Sequence, residues 1–198
     1  MRNKGLIILS FLFSFSAYGQ KNAEEDSSSK RKWYVPDGFV AEYAGGIGMA
    51  STGISYNVTK HITTELSVGY TPPMYGNIWT TNLFTSHSIL KQKVSKQFQF
   101  GLEAGVFLSY NIGNHIYLKW PEQFHKYYYW WNSACRYGPF VNAESTYIPE
   151  KGKWNYSVFL QCNTNDLYLY AYRHSYNAIS FTEIIVLGTG IKLELKAP

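Results

Sequence analysis

Near the C-terminus, His174, Ser175 and Glu183 supply the residue types of covalent ester hydrolysis. In that chemistry a serine attacks, a histidine takes its proton, and a carboxylate fixes the imidazole tautomer. Adjacency is the obstacle. On a regular strand neighbouring side chains point to opposite faces, so His174 and Ser175 meet only if a bulge or loop intervenes, as segment 178–182 would allow. The competing reading is a loop whose polar residues face water.

Other candidates are simpler. Cys135 and Cys162 fall on adjacent strands of one hairpin with both side chains on the apolar side, which leaves a disulfide and two free thiols equally open. No further Cys or His stands at ligand spacing, so no metal site is expected, and His115 and His125 read as surface residues. Glu65 and Glu103 could be a general acid/base pair, but structural pairing suits them better. Segment 111–132 holds Tyr117, Trp120, Phe124, Tyr127, Tyr128, Tyr129, Trp130 and Trp131. Of these, Trp120 and the run Tyr127, Tyr128, Tyr129, Trp130 and Trp131 could form a binding surface for sugar or lipid; a membrane-interface girdle accounts for them more simply.

The elements that must position these residues are strands. The 198 residues are 45% hydrophobic, 18% aromatic and only 16% charged, which excludes disorder and collagen. A mean hydropathy of -0.24 beside that aromatic load means that apolar residues alternate with polar ones instead of forming blocks. From Phe98 to Tyr110, one face carries Phe98, Phe100, Leu102, Ala104, Val106, Leu108 and Tyr110; the other carries Gln99, Gly101, Glu103, Gly105, Phe107 and Ser109. The same period recurs at 54–58, 62–70 and 185–195. Segments 39–48, 79–91, 133–147 and 154–172 bring the count to eight, although 79–91 alternates poorly.

The faces predict an all-β, eight-stranded antiparallel transmembrane β-barrel. Opposite each apolar row stand Gly, Ser, Thr and Asn with isolated charges, and Glu42, Glu65, Glu103, Glu144, Glu194, Arg136 and Lys192 all fall on that side. Such a face suits a narrow lumen filled by paired charges, whereas a solvated exterior would carry many more. Connections at 59–61, 92–96 and 149–153 are short, and those at 72–77, 111–132 and 174–180 are longer; the first, near 49–52, is brief and breaks the pattern. Gly45, Gly46 and Gly48 lie within a strand and permit close packing or a bend, not a phosphate loop.

The N-terminus bears on compartment. Arg2 and Lys4 precede an apolar stretch of 12 residues, 5–16, and then the small residues Ala17 and Gly19, which predicts a secretory signal peptide at 1–19, too short to span a bilayer as a helix. Its removal takes away two positive charges and lowers the formal net charge from +5 to +3. Residues 20–35 read as a disordered leader and 36–198 as the barrel.

The last strand reads Gly190-Ile191-Lys192-Leu193-Glu194-Leu195, with apolar residues three and five positions after the glycine. It resembles the C-terminal targeting signal of outer-membrane barrels, except that Lys196-Ala197-Pro198 replaces the usual terminal aromatic. With the signal peptide, the chain over 39–195 resembles the small eight-stranded outer-membrane proteins of Gram-negative bacteria. That resemblance implies export to the cell outer membrane, insertion by the barrel-assembly machinery, contact with outer-membrane lipid and lipopolysaccharide, a monomer, and a structural or surface-binding role without catalysis. No cofactor is expected, and the scattered basic residues do not form a nucleic-acid stripe. A second, weaker likeness is to the lipid A 3-O-deacylases, barrels with a His-x-Ser-Asn motif. It implies a serine esterase acting on lipid A at the outer rim through His174, Ser175 and Glu183, although here no residue separates His from Ser.

Overall fold

The computed structural model describes residues 34–113, 116, 133–175 and 178–196. The expected signal peptide, nearly all of the leader, His115, His125, and the aromatic candidates Trp120 and Tyr127 to Trp131 lie outside the described residues. Eight strands follow in chain order: β1 (Gly38–Ala44), β2 (Ala50–Asn57), β3 (Ile62–Thr71), β4 (Ile78–Lys93), β5 (Phe98–Gly113), β6 (Cys135–Tyr147), β7 (Trp154–Asn163) and β8 (Val186–Leu195). Each is antiparallel to the next, and β8 pairs with β1, so the sheet closes into a barrel.

The register fixes the dimensions. Stepping from partner to partner, Gln99, Thr146, Ser157, Lys192, Val40, Gly53, Ser67, Asn82 and Ser109 form one circuit that leaves β5 at residue 99 and returns at residue 109. With strands ~4.8 Å apart and ~3.3 Å per residue, a stagger of ten residues over eight strands tilts them by about 41° and sets a backbone radius of about 8 Å. An interior of that width is filled by side chains.

The apolar rows face outward. Phe98, Phe100, Val106 and Leu108 on β5 are 48, 39, 62 and 49% exposed, as are Leu66, Val68, Leu83, Val141, Val158, Leu160 and Ile191 on other strands to similar degrees. Rings bracket this aliphatic band. At the end where β1 begins and β8 finishes, Phe39 lies 6.1 Å from Trp154 and Phe98 5.2 Å from Tyr147; at the other end Tyr70 lies 4.6 Å from Trp79. From Phe100 to Tyr110 is ten residues, or about 25 Å along the barrel axis at that tilt.

Inside, three of the inward phenylalanines sit directly opposite wall glycines: Phe140 against Gly105, Phe107 against Gly138, Phe159 against Gly190. A Cβ on Gly105 or Gly190 would come within 2.8 Å or 2.5 Å of the facing ring, so the missing side chain is what makes room for it. Phe84, Phe107, Phe140 and Ile47 form the buried apolar cluster.

Several expectations need correction. The strand predicted at 154–172 ends at Asn163, and a helix, α1 (Asp166–His174), follows. Its alternating Leu-Tyr-Leu-Tyr suits a strand as well as a helix, but Asn165 caps it by accepting from the Tyr168 amide at 3.0 Å, and Asp166 favours its first turn. Strand 39–48 stops at Ala44, where Ala44, Gly45 and Gly46 all have positive φ and turn the chain inward. The weak alternation of 79–91 also has a cause: β4 turns Phe84 inward and slips register between Ser88 and Leu90. The connections at one end cover 58–61, 94–97 and 148–153; those at the other cover 45–49, 72–77, 114–134 and 164–185.

Candidate functional site

Two places gather the chemistry-bearing residues: the lumen, and the rim with the longer connections. In the lumen, Lys192 is 2% exposed, with its Nζ 2.5 Å from Glu65 and 3.9 Å from Glu144. Glu144 also accepts from Thr146 Oγ1 at 2.9 Å, Glu103 from Ser86 Oγ at 3.1 Å, and Glu42 from Gln161 Nε2 at 3.3 Å. Each of these four carboxylates, Glu42, Glu65, Glu103 and Glu144, therefore has a donor, which burial demands. The expectation of charge pairing throughout is too simple: among the described residues Lys192 forms the lumen's ion pairs, and neutral amide and hydroxyl groups serve Glu42 and Glu103. Glu65 and Glu103 are on different networks, and no hydrogen bond joins them.

The lumen is closed toward the long-connection rim by 45–49, a segment whose insertion the sequence reading missed. Ile47 is 1% exposed inside the barrel. Its carbonyl accepts from Thr80 Oγ1 and from Asn82 Nδ2, and Asn82 is held by Ser67 and Ser109 at 3.3 and 2.6 Å. Gly45 donates to Leu187 O at 3.1 Å, Met49 to Tyr70 O at 3.0 Å, and Asn163 donates to Gly45 O. Wall glycines let the segment in: a Cβ on Gly69 would lie 2.0 Å from Ile47 O, and one on Gly188 would lie 2.7 Å from Gly45 Cα. The glycine cluster at 45–48 was the available signal.

At the rim, the sequence candidates are placed separately. His174 ends α1; its Nδ1 lies 3.0 Å from Tyr170 O and its ring stacks on Tyr170 at 4.0 Å. Ser175 caps the helix through its amide, which donates to Ala171 O at 2.9 Å. Glu183 sits in the 3-10 turn Phe181–Ile184 and accepts from the Ser180 amide at 2.7 Å. Among the described residues no hydrogen bond joins any two of His174, Ser175 and Glu183. The helix that replaces the expected strand sets this arrangement, each polar group serving its own turn.

Arg136 lies on the lumen face of β6 but reaches toward α1, 3.7 Å from Asp166, which also accepts from the Tyr137 amide at 3.3 Å. This tether was invisible while 164–172 was read as strand. The two cysteines are not joined to each other. Cys162 pairs across from Val141, six residues along β6 from Cys135, or about 20 Å, well beyond disulfide reach. Among the described residues no group of three or more His, Cys, Asp or Glu side chains could hold a metal ion. No family model, curated protein or solved structure gives a significant match to this chain.

Proposed function

We propose that this chain is an integral outer-membrane β-barrel protein with a structural or surface-binding role, exported by the N-terminal signal and inserted by the barrel-assembly machinery. The observation that carries the reading is the inversion of its faces. Large aliphatic side chains stand exposed around a band about 25 Å tall between two aromatic belts, while carboxylates, amides, hydroxyls and Lys192 share the interior with the Phe84, Phe107, Phe140 and Ile47 cluster. In water that exterior would be an apolar patch far larger than a soluble monomer carries. A filled interior sealed by Ile47 suits a scaffold that presents its rims and does not suit a solute channel. The partners implied are outer-membrane phospholipid and lipopolysaccharide.

The test is fractionation of the full chain expressed in a Gram-negative host. The reading expects it in the outer-membrane fraction, resistant to carbonate extraction, with gel mobility that changes only after boiling. Recovery as a detergent-independent periplasmic protein would overturn it.

A further inference from the structure

We infer that the end of the barrel carrying the three short turns is a docking surface for anionic phospholipid headgroups. This rests on the membrane reading above and adds a lipid preference to it. Lys60, Lys93, Lys96, Lys151 and Lys153 are all exposed there, on three different turns or their margins. Among the described residues no ion pair joins any of them to a carboxylate. The acidic side chains nearby are otherwise engaged: Asp37 accepts from the Asn57 amide at 2.8 Å, Glu150 from Gln97 Nε2 at 3.4 Å, and Glu194 faces the lumen.

Two of the turns share a second feature. Val58-Thr59-Lys60 and Val94-Ser95-Lys96 place a valine, a hydroxyl residue and a lysine in the same order. In both, the hydroxyl is used within the turn: Thr59 Oγ1 accepts from the amides of His61 and Ile62, and Ser95 Oγ from those of Gln97 and Phe98. The valine and the lysine remain outward, with Val58 64% and Val94 73% exposed. The same valine-lysine pairing in two turns sets an apolar contact beside a charge, whereas a soluble polyanion would engage the lysines alone. A headgroup layer matches both, since the valine reaches the acyl boundary while the ammonium meets phosphate. The belt of Phe39, Phe98, Tyr147 and Trp154 begins immediately above, so the surface continues the aromatic interface.

The experiment uses the full chain reconstituted in phosphatidylcholine vesicles, with spin-labelled phosphatidylglycerol and phosphatidylcholine compared as probes of the boundary lipid. Insertion is verified first by boiling-dependent gel mobility. The expected result is a preference for phosphatidylglycerol of about threefold or more at low salt, falling toward one at about 0.5 M salt. Lys→Gln at 60, 93, 96, 151 and 153 together should abolish the preference without affecting insertion, and Arg173→Gln at the opposite rim should leave it intact. Insertion with equal association of both lipids overturns the inference alone. Failure to insert overturns the membrane reading and the inference with it.

Discussion

Lys192 offers the sharpest test of the lumen. Its ammonium is 2.5 Å from Glu65 and 3.9 Å from Glu144, and all three side chains are at most 16% exposed. With an effective dielectric of about 20, those separations correspond to attractions of about 7 and 4 kcal/mol. Desolvation of three charges consumes most of that, so the intact cluster adds little net stability; removing its cation leaves two carboxylates uncompensated and should cost about 3–5 kcal/mol. Lys192→Met is therefore expected to lower the free energy of unfolding by that amount, measured by urea titration of the vesicle-inserted barrel with fluorescence and gel mobility as paired probes. Adding Glu65→Gln and Glu144→Gln to it should restore most of the loss, because the charges needing a partner are gone. A Lys192→Met barrel within about 1 kcal/mol of the parent, or a triple variant no better than the single, would refute this account of the lumen.

Gly69→Ala should expel 45–49 from the barrel mouth, since its Cβ would meet the Ile47 carbonyl at 2.0 Å. Hydrogen exchange at the Gly45 and Met49 amides is then expected to quicken by about tenfold or more, and unchanged exchange would contradict the plug. For the cysteines, gel mobility should be the same with and without reductant, and both thiols should react with a membrane-permeant maleimide; a reductant-dependent shift would mean that the register between β6 and β7 is wrong. Ser175→Ala is expected to leave the lipid A acylation of the producing cell unchanged by mass spectrometry, and an acyl chain lost only when Ser175 is present would restore the esterase reading.

The wall was legible because its chemistry is period-two and strictly sided. On β5 the row from Phe98 to Tyr110 could face one way only once Gly101, Glu103 and Gly105 were assigned to the other, and a single register slip would have reversed every side chain. Where tertiary needs cut across that period, sequence reading lost ground. Phe84 points inward on β4 against the local pattern, and its neighbours in the lumen, Phe107 and Phe140, are across-strand companions that no one-dimensional pattern reveals. In α1, Leu167 to Tyr170 alternates like a strand, and the decisive signals were the capping residues Asn165 and Asp166. The parity of Arg136 was readable; its partner Asp166 was not, because it lies across a turn whose geometry depends on that helix.

Pairing of β1 with β8 sets Gly38 beside Glu194, so although β2 covers one edge of β1, the other edge stays unpaired until β8 is made. Until then the chain has two unsatisfied edges and an oily sheet, the form most prone to aggregate, and its closure has the long sequence separation associated with slow folding. Under the outer-membrane reading, such a polypeptide depends on being kept unfolded in transit and is committed only when the ten residues of β8 zip against β1.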